Sequence, residues 1–184
     1  MRGERVTADV PVENQMCLFK KGGFAMSGED PLSAVEGLAQ SNDWQFERDE
    51  EGISMDVAGR WAQYRVAFSW MPENEIIHLS CGFEFRPVPH RQNEVKELIA
   101  LINRNLWVGH FDLWLEDNLL MFRHGFLFSG DTRLTPEQCH LLMQTALQEC
   151  EKYYPAFNFV LWAGKTAAES LAAVDSLSDV QGEA

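Results

Sequence analysis

The chain reads as an α+β protein in which helices pack on one face of an antiparallel sheet, in the order α-β-β-β-β-α-β-β-α-α. Three observations lead there. Apolar residues recur at helical spacing near 31–42, 90–106 and beyond 135; they alternate at strand spacing between 44 and 85; and residues 110–128 form an aromatic hairpin.

Asp30-Pro31 supplies an N-cap and a proline at the first helical position, and Leu32, Val35, Leu38 and Ala39 form one apolar stripe, so a first helix is expected near 31–42. Four strands are expected near 44–49, 52–58, 61–70 and 75–85, separated by turn signals at Glu50-Glu51-Gly52, Gly59-Arg60 and Pro72-Glu73-Asn74. Tyr64, Val66, Phe68 and Trp70 share one face, as do Ile77, Leu79, Cys81, Phe83 and Phe85; these faces should meet the helices. Val95, Leu98, Ile99, Ile102 and Leu106 return to helical spacing and define a second helix over 90–106.

The hairpin turn is placed at Asp117-Asn118, residue types that tolerate positive φ. That register sets Trp114 opposite Met121, Leu113 opposite Phe122, Asp112 opposite Arg123 and Phe111 opposite His124. Phe111, Leu113, Leu115, Leu120 and Phe122 then make an inner apolar face with His124, while Asp112, Trp114, Met121 and Arg123 face outward. Thr135-Pro136-Glu137-Gln138 has the form of a capping box and starts a third helix, which Pro155 should kink or end. Helix should resume through Phe157 and Leu161 until Gly164, and Thr166 with Glu169 caps a last helix near 167–176. Residues 1–29 read as a flexible leader with one strand-like stretch near Met16–Phe19, 30–176 as a single domain, and 177–184 as a disordered tail.

Composition narrows the function classes. Hydrophobic residues make up 46% of the 184, and the 12 Phe and 6 Trp call for a packed core of rings. A formal net charge of −13 opposes nucleic acid and anionic membrane surfaces as partners. Without a secretory h-region or a membrane-length apolar segment, a cytoplasmic location is expected. Cys17, Cys81, Cys139 and Cys150 are scattered and read as free thiols.

No reactive constellation emerges. Cys139-His140 are helix neighbours pointing about 100° apart, and no CxxC, HxxxH or HxxE cluster offers zinc its ligands, so neither a catalytic residue nor a metal or cofactor is expected. Gly164-Lys165-Thr166 lacks the preceding glycine of a phosphate loop and follows a helix, which makes Gly164 a C-cap. Asp112 and Arg123 are read as a structural ion pair across the hairpin. Trp61, Trp114 and Met121 are placed together on the sheet face turned away from the helices, as a binding surface for a second subunit or for a client.

Trp61 with Tyr64-Arg65-Val66, His78-Leu79, Asn103 through Asp112, Phe122-Arg123-His124, Tyr153-Tyr154-Pro155-Ala156-Phe157 and the Gly182-Glu183-Ala184 ending resemble the YbjN-type domain, a bacterial family labelled a sensory transduction regulator. The resemblance spans about residues 30–184 and implies a fold like that of type III secretion chaperones, commonly homodimeric. With it, the sequence points to a non-enzymatic regulatory or chaperone-like homodimer that binds a protein or peptide partner. The rival is a small-molecule or nucleotide sensor, or a hydrolase, with a pocket between helix two and the sheet near Asn103, Asn105 and His110.

Overall fold

The structure is a computed structural model that describes residues 30–50, 52–128 and 134–181, with the side chains of the last helix as far as 176. The leader 1–29, with Cys17 and the Met16–Phe19 stretch, and the Gly182-Glu183-Ala184 ending lie outside the described residues. Helix α1 (Ser33–Ser41) precedes strands β1 (Phe46–Arg48), β2 (Gly52–Ala58), β3 (Gln63–Met71) and β4 (Ile76–Glu84). Helix α2 (Gln92–Asn103), strands β5 (His110–Trp114) and β6 (Leu119–Leu127), and helices α3 (Pro136–Trp162) and α4 (Ala167–Gln181) follow. The element order is the expected one.

Among the described residues six strands pair antiparallel in the order β1-β2-β3-β4-β6-β5, so the closing hairpin inserts β6 beside β4 and leaves β1 and β5 as the outer strands of that order. One face is covered. Helix α3 crosses β4 and β6, α1 packs on α3, and α2 and α4 pack together over β5 and α3. Phe111 meets Phe122, Tyr153 and Phe157 at ring distances of 5.6–5.9 Å, and Phe83 and Phe85 reach Tyr154 and Phe157 in the same layer. Tyr64, Val66 and Phe68 of β3 and Val95, Leu98 and Ile102 of α2 are fully buried there, as their spacing requires.

Three local expectations change. Helix α1 starts later, with Leu32 at the cap position, and Asp30 accepts the Leu32 N–H in the turn before it. Pro155 does not end a helix: α3 runs unbroken to Trp162, because Tyr153, Ala156, Phe157 and Val160 on both sides of it are buried, which outweighs the missing amide bond. Helix α4 continues to Gln181, into the stretch expected to be a tail from 177. Both capping boxes form: Gln138 N–H donates to Thr135 Oγ1 at 3.2 Å, and Glu169 N–H to Thr166 Oγ1 at 3.3 Å.

The hairpin register differs by two. Trp114 pairs with Leu119 and not Met121, Phe111 with Phe122 and not His124, and Arg123 lies opposite His110 and not Asp112. The turn is the longer loop Leu115–Asn118, in which only Asn118 takes a positive φ, of 51°. A slip of two leaves the paired side chains on their expected faces, but Leu115, expected on the inner face, falls in the loop and is exposed.

Candidate functional site

The sheet face opposite the helices is the candidate site, and its composition follows from strand parity. Across it, Asp56, Arg65, Gly82, Met121 and Asp112 form one register row, Ser54, Ala67, Ser80, Arg123 and His110 the next, then Ser69, His78 and Gly125, and last Met71, Ile76 and Leu127. Small residues hollow its centre. A shallow depression of about 450 Å³ lies over β1–β3, lined in part by Glu47, Ser54, Ala67 and Ser69.

Toward β5 the face carries a connected cluster. Arg123 Nη1 donates to Asp112 Oδ2 at 2.9 Å, Arg123 Nε to His78 Nε2 at 3.1 Å, and the Trp114 indole N–H to the same Asp112 oxygen at 2.9 Å. The guanidinium also stands 5.4 Å from the Trp114 ring centroid. The expected Asp112–Arg123 pair is therefore present, but as a diagonal contact. Burial alone would push the Asp112 carboxyl up; the Trp114, Arg123 and Leu113 N–H donors outweigh it and hold the group below its ordinary value. Because His78 accepts from Arg123, it is neutral with its proton on Nδ1, and burial followed by the Arg123 charge lowers its pKa.

The three proposed binding residues do not converge. Trp61 lies before the start of β3, where the Gly59–Ala62 turn has already changed the direction of the chain, and its ring stacks on Tyr154 of α3 at 6.4 Å and 4°. It sits on the helix side. The Glu151 carboxylate accepts the Arg60 and Trp61 amides, and a Cβ at Gly59 would collide with that carboxylate, which explains the glycine. Met121 occupies the outward face as expected but is buried at 5% exposure, so it supports the face without offering an anchor. Trp114 is both outward and 43% exposed.

The rival pocket does not assemble from its residues. The Asn103 carboxamide is spent on β5, accepting Phe111 N–H at 2.7 Å and donating to Phe111 O at 3.0 Å, while His110 lies on the other face of the sheet. His124, on the helix side, is lowered in pKa by burial first and His110 second. Cys81, Cys139 and Cys150 are buried free thiols; burial pushes Cys139 up to about 12, and Cys150 donates to the Cys81 carbonyl at 3.4 Å, so neither supplies a thiolate at neutral pH. Among the described residues no three His, Cys, Asp or Glu side chains gather as metal ligands, and no helix is long and apolar enough to cross a membrane.

Sequence reasoning gave no role to His78, although its strand parity places it on the face of Arg123. The exposure of Trp107 (100%), Leu127 (74%), Met71 and Val108 (40% each) had no sequence signal beyond the end of a helical stripe or strand.

Among the described residues, six antiparallel strands with helices on one face define a two-layer α+β protein, and no described element packs on the other sheet face. The chain belongs to the YbjN family: the family model described as "Putative bacterial sensory transduction regulator" matches residues 31–159. Among solved structures, that of YbjN from E. coli, described as a putative transcription regulator, is similar at 13% identity and a TM-score of 0.49, over 65% of this chain and 85% of that one. No curated protein matches the chain.

Proposed function

We propose that the protein is a non-enzymatic, cytoplasmic regulatory protein that acts as a homodimer and recognises a polypeptide partner through the open sheet face. The observation that carries this reading is the Trp114–Arg123–Asp112–His78 cluster, which holds a half-exposed indole and a guanidinium in fixed positions on a face that, among the described residues, no helix covers. Tryptophan and arginine are the residue types most enriched at binding hot spots, and their mutual contacts here reduce the entropy lost on docking. An acidic body with buried thiols and an engaged Asn103 supports binding over chemistry.

Trp114→Ala tests it. The variant should weaken partner binding by about thirtyfold or more, as removal of a hot-spot ring does, while leaving circular dichroism unchanged because the side chain is 43% exposed. Unchanged affinity, or unfolding of the chain, would remove Trp114 from the contact surface.

A further inference from the structure

We infer that the second copy of this chain docks along the unpaired half of β6, antiparallel and two-fold about Phe126, joining the two sheets into one. The assignment rests on the homodimer reading above. The exposed strand edges differ in which backbone groups point outward and in what meets them.

At β1, the Asp49 N–H bond to Gly52 O fixes the phase: Glu47 turns toward β2, and the N–H and C=O of Phe46 and Arg48 turn outward. A two-fold pairing there would set Glu47 directly across from its own copy, beside exposed Asp43 and Glu50. Like charges directly opposite are unfavourable, so β1 is a poor self-pairing edge.

At β5, Phe111 and Leu113 point outward, but both amides are taken. Asn103 engages the N–H and C=O of Phe111, and Asp112 Oδ1 accepts the Leu113 N–H at 2.9 Å. This edge is capped.

Strand β6 is longer than its neighbour, since β5 covers only Leu119–Arg123. The Phe85 N–H bond to Asn118 O and the Phe128 N–H bond to Glu75 O set the phase, turning even-numbered residues toward β4 and leaving Gly125 and Leu127 outward. Among the described residues nothing takes up their backbone groups. The surroundings are apolar: Leu127 is 74% exposed in the row Met71, Ile76, Leu127, with Trp107 and Val108 exposed in the loop leading to β5.

Residues 124–128 also complement themselves. Two-fold pairing about Phe126 sets Gly125 opposite Leu127 of the other copy, and the reverse, using the outward groups of both. Leu127 then lies over a glycine where a Cβ would find only Ile76 Cγ2, at 3.8 Å, so there is room for it. No acidic or basic residue other than His124 lies in the segment. The joined sheets carry the two Trp114–Arg123 clusters on one continuous surface.

The test measures mass by light scattering and amide exchange by NMR on the full chain. Twice 21.0 kDa, with Gly125 and Leu127 amides protected, is expected at high micromolar concentration. Leu127→Lys should weaken the dimer at least tenfold and release both amides with circular dichroism unchanged, whereas Leu127→Met should preserve both. A monomer mass, protection within a monomer, or a dimer with freely exchanging Gly125 and Leu127 amides would overturn the assignment. So would a dimer that survives Leu127→Lys; that result alone leaves the homodimer and its polypeptide partner standing on another surface.

Discussion

At the residue scale, Asn103 shows how a side chain can close a strand edge. Its carboxamide replaces the neighbouring strand that Phe111 lacks, so Asn103→Ala should destabilise the fold by about 1–3 kcal/mol, the cost of leaving buried backbone groups unpaired. Asn103→Asp keeps the acceptor but loses the donor and should fall between; equal urea midpoints for all three would refute the cap. His78 and His124 give a pH dependence of definite sign. Burial holds both folded pKa values below the ordinary histidine value of about 6.5, so between the folded pKa and about 6.5 the unfolded chain binds more protons. Stability should therefore fall as pH drops below about 6.5, apart from any loss below pH 4 as Asp112 is protonated. His78→Gln keeps an acceptor for Arg123 without titrating and should flatten part of that slope in urea melts at pH 7 and 5.5. An unchanged slope would show that His78 does not contribute. The face of His78 was legible from alternation; its link to Arg123 was not, because a cross-strand neighbour depends on how β4 and β6 come together.

At the scale of elements, long periodic segments and the three turns between the first four strands were readable, and the hairpin turn was not. The four-strand run, the capped starts of α3 and α4 and the inner faces of both late strands follow from spacing alone. The hairpin register failed because two turn-tolerant residues invite a short turn, whereas the chain uses Leu115–Asn118. Trp61 failed because alternation was carried past the first residue of β3 into a turn that tilts the ring onto Tyr154. Gly109 shows what the α2–β5 connection requires. Its φ is +69°, and a Cβ would lie 2.2 Å from Phe122 Cζ and 2.8 Å from the Arg123 carbonyl. Gly109→Ala combines backbone strain with a clash against a buried ring and should cost about 2 kcal/mol or more in a urea melt. A loss below about 0.5 kcal/mol, the range of an ordinary surface substitution, would mean that the loop moves without penalty.

At the scale of the whole molecule, one face of the sheet holds the core, and among the described residues no element packs on the other, where the proposed contact surface lies. The sequence separated those sides but placed Trp61 on the wrong one and did not foresee the apolar end formed by Met71, Ile76 and Leu127. That end is visible only once β6 lies beside β4 and extends beyond β5. On the proposed reading, Trp114 and its cluster hold a polypeptide. The most direct measurement is parallel capture from a lysate of the source cells on immobilised full chain, using wild type and folded Trp114→Ala, with bound polypeptides quantified by mass spectrometry. On that reading, wild type retains a polypeptide whose recovery falls about thirtyfold or more on the variant. Equal recovery on both, or no polypeptide from a lysate in which a small metabolite raises the melting temperature, would contradict it.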